Sequence, residues 1–197
     1  MRFKLLPDET FAAHVRSLES RILDAGDLVD AETFLDFADK AAIAVLERSF
    51  RAAGADEGTI WLADRTGEIL IPVFNTGPQT EEILKRRQPV ERGIIGMVFS
   101  VQQAFCENEI SRNPAQDRTI GEAVGFEIES MIAVPLNFAR ECRGVVSCVI
   151  RAPSDKTGSE PRRFSGESLR EVSLATYVLS SLFDYTLLAG ILGWERS

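Results

Sequence analysis

The sequence predicts an α+β fold in which N- and C-terminal helices pack on one face of a central antiparallel sheet. Two observations carry that prediction. Apolar residues recur at helical spacing toward both ends, and between them the pattern changes to short β-rich runs that come in pairs, each pair joined by a tight link. A chain of 197 residues, 45% hydrophobic and 26% charged, suits one domain with a full core and an added helical segment.

The elements follow in order. From about Glu9 to Ala25, Phe11, Val15, Leu18, Ile22 and Leu23 share one helical face, and Gly26 ends the helix. A second helix is expected from about Ala31 to Ala53, with Phe34, Phe37, Ala38, Ala41, Val45, Leu46 and Phe50 apolar and Gly54 in the place of a C-terminal cap. Glu57 to Asp64 and Glu68 to Asn75 read as a hairpin closed at Arg65-Thr66-Gly67. Pro72 removes one ladder donor, which places an edge or a bulge there. After Gly77-Pro78 come a short polar helix, a helix opened by Gly93 and Gly96, and a brief strand from Ala104 to Glu107. The connection from Asn108 to Glu129 is the longest irregular stretch, with room for one short helix near Gln116 to Val124, and long connections in compact domains are often functional.

Ser130 to Phe138 and Gly144 to Arg151 form a second hairpin through the link Ala139 to Arg143, with Gly144 allowing a tight start. Ala152 to Phe164 is a polar loop. Ser165, Glu167 and Ser168 open a last helix reaching about Leu192, with Leu169, Val172, Thr176, Leu179 and Phe183 on one stripe. The expected organisation is an N-terminal helical segment over 1–30, a main domain over 31–190 that includes the long C-terminal helix, and a tail over 191–197.

Four pieces in this order resemble the GAF domains, a PAS-related family. They are EGTIWLAD with EILIPVF, then GIIGMVFSVQQAFCENEI, then VGFEIESMIAVPL, then GVVSCVI followed by FSGESLREVSLATYVLSSL. The resemblance covers roughly Ala31 to Asp184. In such domains a glycine helix follows the first hairpin, a short strand ends in Asp or Asn, and a strand reading S-x-(I/L)-x-V-P-L precedes a Gly-initiated one. Gly93 and Gly96, Asn108, Ser130 to Leu136, and Gly144 occupy those places here. The resemblance implies a GAF-like sheet that holds a small ligand beneath its connecting loops.

Composition narrows the function. The formal charge of −8 opposes nonspecific attraction to nucleic acid or anionic lipid. The basic run Lys85, Arg86, Arg87 and Arg92 follows Glu81 and Glu82, as expected of a short helix with acids at its start and bases at its end. No window holds about 18 to 20 uninterrupted apolar residues, and the start lacks a signal-peptide core, so the expectation is a cytoplasmic protein that neither spans a membrane nor binds nucleic acid.

His14 is the sole histidine, so no Ser-His-Asp triad or histidine metal cluster can form within the chain. The three cysteines, Cys106, Cys142 and Cys148, include no CxxC pair, and Cys148 reads as core. Cys106 sits where a strand opens into the long connection; a free cysteine there is ordinarily a small buried hydrophobe.

Some GAF proteins reduce free methionine-R-sulfoxide through a cysteine a few residues before the S-x-x-x-V-P-L strand. Val124 to Glu129 contains none, and Ile94, Ile95 and Met97 stand where a second relevant cysteine occurs. The Cys-His pair of tetrapyrrole-binding members and the N-K-x-F-x-x-x-D-E signature of cyclic-nucleotide-binding members are absent as well. No catalytic residue, metal site or cofactor is therefore expected.

What remains is a small-molecule pocket. Its polar candidates are Asn108, Ser111, Asn113, Asp117, Arg118 and Thr119, its apolar candidates Phe74, Phe126, Ile128 and Met131, with Cys106 at the strand end. The expected function is ligand-responsive regulation, with output through a partner signalling protein or a homodimer of terminal helices. Leu174, Val178, Leu182, Tyr185 and Leu188 make a second apolar stripe that wants a partner, which the N-terminal helix could also supply within the chain. The rival readings are a scaffold whose pocket is filled by Phe74, Phe126 and Met131, and the sulfoxide-reducing enzyme.

Overall fold

The computed structural model describes residues 9–114, 126–153 and 161–194. Six strands form one antiparallel sheet: β1 (Glu57–Ala63), β2 (Ile69–Asn75), β3 (Gln88–Pro89), β4 (Phe105–Glu107), β5 (Ile128–Phe138) and β6 (Glu141–Arg151), ordered β3-β2-β1-β6-β5-β4. The helices are α1 (Glu9–Ala12), α2 (Val15–Gly26), α3 (Phe34–Phe37), α4 (Lys40–Ala52), α5 (Thr80–Leu84), α6 (Gly93–Val101) and α7 (Gly166–Leu192), with a 3₁₀ turn at Ile110–Arg112.

Two expected helices are each broken in two. The chain turns at Ala13 and His14 between α1 and α2. Between α3 and α4, Asp39 is extended and its carboxylate accepts from the backbone N–H groups of Ala41 and Ala42, an N-cap that starts a new helix where the apolar spacing alone suggested continuity. The predicted helix near Gln116 to Val124 lies outside the described residues.

Alternation along β1 and β6 sends side chains to both faces, and both faces are buried. Gly58, Ile60 and Leu62 face the same way as Val146 and Cys148; Trp61 faces the other way with Val145 and Val149. On the first face α4 and α7 build the main core with Leu46, Phe50, Val172, Leu179 and Phe183, the Phe183 ring stacking on Phe138 at 4.8 Å. Ile22 and Ala25 of α2 pack against the same core. The terminal helices thus share one face of the sheet. On the second face α6 lays Ile94, Ile95 and Val98 against Trp61, Ala133 and Val145.

Helix α7 starts at a capping box, Ser165 and Ser168 each donating backbone N–H to the other's hydroxyl. By length and composition α7 could cross a membrane. Here its buried stripe of Val172, Thr176, Leu179, Phe183 and Leu187 covers the sheet.

Local chemistry explains the hairpins. Asp64 accepts from the N–H groups of Glu68 and Ile69 and closes the first turn. Opposite Pro72 the register slips between Ile60 and Trp61, so the proline marks a bulge. The second turn is tighter than the expected link Ala139 to Arg143. Ala139 and Arg140 both have positive φ (49° and 66°), and the Ala139 N–H donates to Asp184 Oδ1 at 2.6 Å, tying the turn to α7.

Gly144 therefore does not open the turn; it lies where a Cβ would stand 2.0 Å from the Trp61 carbonyl oxygen of the neighbouring strand. Gly144→Ala should lower unfolding free energy in urea by about 1–3 kcal/mol, as overpacking does. Gly190→Ala, in α7 with nothing within 4 Å of the added carbon, should be neutral or stabilising. Equal stability of the two variants would refute the close approach at Gly144.

Candidate ligand site

The second face of the sheet is covered by short pieces, and between them lies a cavity of about 50 Å³. Its apolar wall includes Trp61, Ile83, Ile94, Ile95 and Ile110, and Phe126, Ile128 and Met131 enter it as the chain rejoins the sheet. Its floor is polar. Glu57 and Thr59 of β1 and Ser147 of β6 line it, and Thr59 and Ser147 are direct cross-strand neighbours. All three are buried, with Glu57 only 5% exposed.

The hydrogen bonds of this floor have fixed directions. The Gly77 N–H can only donate, and does so to Asn75 Oδ1 at 2.7 Å, so the Asn75 amide must present Nδ2, which donates to Thr59 Oγ1 at 2.8 Å. The Trp61 indole N–H can likewise only donate, and gives its proton to Ser147 Oγ at 3.0 Å. Glu57 Oε2 accepts from Arg151 Nη2 at 2.7 Å. A Cβ on Gly77 would lie 1.8 Å from that oxygen, so the glycine makes room for the carboxylate.

Arg151 joins the floor to the rim. Its guanidinium carbon stands 4.1 Å from the centre of the Phe126 ring, and its Nη2 also reaches Gln79 Oε1 at 3.3 Å. Its backbone N–H donates to Asp56 Oδ2 at 2.8 Å, and Asp56 is ion-paired to Arg162. Burial pushes the Asp56 carboxyl up, but the Arg162 hydrogen bond, the Arg151 N–H and the two positive charges outweigh it and hold it below the usual carboxylate range.

Of the residues expected to form the site, Phe126, Ile128 and Met131 line this cavity. Phe74, Cys106 and Asn108 do not. Phe74 pairs with Ile60 and packs against the core under the terminal helices, on the opposite face. Cys106 pairs with Ile132 and packs against that same core.

Asn108 serves as a latch. Its Nδ2 donates to the Phe164 carbonyl at 2.9 Å and its Oδ1 accepts the Phe164 N–H at 2.8 Å, stitching the end of β4 to the approach of α7. Ser111 is exposed, and Asn113 donates to Glu107 Oε2 at 3.0 Å. Asp117, Arg118 and Thr119 lie outside the described residues.

The floor residues Glu57, Thr59 and Ser147 were not among the sequence candidates, although a signal existed. Glu57 and Thr59 alternate with apolar residues in a strand, and Ser147 interrupts GVVSCVI, so each is a polar group at a strand position that the sheet buries.

The thiols point to ordinary core chemistry. Burial pushes Cys148 up to about 12, burial and then the Glu107 charge raise Cys106, and burial raises Cys142.

No family model matches the sequence. No curated protein matches it either. Solved structures do resemble it in fold. The GAF domain of a phosphoenolpyruvate-protein phosphotransferase from Coxiella burnetii is 16% identical with a TM-score of 0.61, over 89% of this chain and 98% of that one. A methyl-accepting chemotaxis protein fragment is 19% identical with a TM-score of 0.60, over 87% and 97%. The free methionine-R-sulfoxide reductase of Neisseria meningitidis, in complex with its substrate, is 17% identical with a TM-score of 0.54, over 98% of each chain. The chain has the GAF fold.

Two outcomes follow from the electrostatics. In timed iodoacetamide labelling read by mass spectrometry, Cys148 should stay unmodified at pH 8 until the protein unfolds, and Cys106 and Cys142 should react more slowly than a free thiol; one fast-reacting thiol would contradict the burial argument. Because the Asp56 pKa is depressed on folding, its stabilisation is full above the unfolded carboxyl pKa of about 4 and is lost as pH falls through the folded value. Asp56→Asn should therefore flatten the acid limb of a pH series of urea melts below about pH 4 and leave its shape unchanged between pH 6 and 8.

Proposed function

We propose that this chain is a non-catalytic regulatory domain that binds a small molecule in the cavity of its second sheet face and passes occupancy to its terminal helices. The observation that carries this reading is the polar lining itself: four buried polar side chains, Glu57, Thr59 and Ser147 on the floor and Gln88 beside them, bordering a space whose other walls are apolar, where a plain core would place aliphatic groups. The chemotaxis protein whose structure resembles it is a signalling protein by name, which fits a sensory use of the same fold.

Two links support an output through α7. The 3₁₀ turn that brings Ile110 to the cavity follows Asn108, which is bonded to Phe164 just before the helix. From the floor, Glu57 holds Arg151, whose backbone is bonded to Asp56, which pairs with Arg162 on the same approach. A ligand that moves the rim therefore pulls on the start of α7 from two sides.

Along the outward side of α7, Leu174, Val178, Ser181, Tyr185, Leu188 and Leu192 are spaced alternately four and three residues apart, the repeat of a paired-helix seam. Leu174 and Tyr185 are 59% and 55% exposed. A second copy of the chain fits this face, and a partner signalling protein is the other candidate. The sulfoxide-reductase chemistry of the Neisseria protein has less support: Cys106 packs in the core of the opposite face, Cys148 borders the cavity while packing in that same core, Cys142 sits beside the second turn, and burial raises the pKa of all three thiols.

A thermal-shift screen of metabolites should find compounds that raise the melting temperature with the logarithm of their concentration. Thr59→Val should remove most of that shift without unfolding the protein. If binders keep their full effect in Thr59→Val and in Ser147→Ala, the ligand site lies elsewhere. Light scattering at micromolar concentration should return twice the mass of one chain and a single-chain mass for Tyr185→Glu; one chain's mass in the unaltered protein would sink the dimer.

A further inference from the structure

Resting on the reading of the cavity as a ligand site, we infer that it is built for a small neutral ring bearing a cyclic amide edge, with the ligand N–H donated to Glu57 and the ligand carbonyl accepting from Thr59 and Ser147. Among the described residues the floor keeps unused hydrogen-bonding capacity on Thr59, Ser147 and Glu57, while the buried Arg151 Nε beside them also has no partner. Thr59 Oγ1 is already an acceptor, from Asn75, and Ser147 Oγ is already an acceptor, from Trp61. Each hydroxyl keeps one proton to donate, and among the described residues neither proton has an acceptor. Since Thr59 and Ser147 are directly opposed across β1 and β6, two donors stand side by side. Such a pair recognises one oxygen acceptor.

Glu57 supplies the complement. It is two residues from Thr59 on the same strand and so on the same face. Its Oε2 is occupied by Arg151, whereas Oε1 has no partner among the described residues. A carboxylate oxygen at the cavity floor with nothing donated to it repels an anionic ligand and favours an N–H. Arg151 already balances the charge of Glu57, so the N–H need not be cationic, and a neutral donor avoids burying an extra charge.

Size and wall chemistry set the rest. The cavity of about 50 Å³ admits only a few waters at about 10–15 Å³ apiece, which corresponds to a one-ring molecule. Trp61 and Phe126 supply aromatic surface for a flat ring. A cyclic amide places its donor and acceptor on adjacent ring atoms, which matches one acceptor group beside one donor pair.

The test compares 2-pyridone with 2-pyranone, which has the same ring and carbonyl but an oxygen in place of the N–H, by ligand-observed NMR titration at millimolar concentration. Removing a hydrogen-bonding group from a ligand whose site partner is buried costs affinity out of proportion to its size. The expected result is at least tenfold tighter binding of 2-pyridone, and a loss of severalfold for both probes in Ser147→Ala, whose fold is checked by circular dichroism. Equal affinity of the two probes would overturn the N–H contact to Glu57. Unchanged affinity of both probes in Ser147→Ala would overturn the carbonyl contact. If neither probe binds while other compounds raise the melting temperature through Thr59, the ligand class is wrong and the site reading stands; if no compound of any kind does so, both fall.

Discussion

The structure depends on one constraint: the two central strands of the sheet, β1 and β6, are buried on both faces, so each face needs its own cover. The two covers are unequal. On one side α4 and the 27-residue α7 lie across the sheet and fill the space with Phe34, Phe138 and Phe183. On the other, α6 has nine residues, about 14 Å of helix, and among the described residues the rest falls to α5, the 3₁₀ turn and the approach to β5. A dense helix pair makes a core, and a patchwork leaves a cavity.

That asymmetry gives the polar floor its meaning. Residues at alternate positions of one strand cannot choose their environment independently; if Ile60 and Leu62 face the long helices, Glu57, Thr59 and Trp61 must face the patchwork. Burying Glu57 there requires Arg151, and Arg151 in turn ties the floor to Phe126 and, through Asp56, to the approach of α7. The same groups that make the cavity polar therefore connect it to the helices on the far face. Nothing about that link needs a long-range path, because the sheet is one residue thick.

Much of the fold was legible in the sequence because hairpins and capped helices are written locally. The Arg65-Thr66-Gly67 turn, the bulge at Pro72 and the Ser165 cap rest on residues within a few positions of one another. The site was less legible. Met131 follows from the strand pattern and Phe126 from its place just before that strand, but the expectation that Phe74 lines the cavity omits the change of face that the Pro72 bulge introduces, which leaves it paired with Ile60 on the helix side. Asn108 looked like a ligand anchor because it is polar and ends a strand; its partner Phe164 is 56 positions away, and only the folded chain brings them together. Glu57, Thr59 and Ser147 are conspicuous once the sheet is known to be buried on both sides, a fact that no single strand discloses.

Filling the gap beneath α6 separates a binding site from a packing fault. Ile94 lines the gap, and Ile94→Phe adds volume directly into it. The measurement is the melting temperature of that variant with and without a compound that stabilises the unaltered protein. The variant, free of ligand, should melt at or above the unaltered protein, and the compound should no longer shift it; a ligand shift of undiminished size in Ile94→Phe would show that the gap is not the binding site.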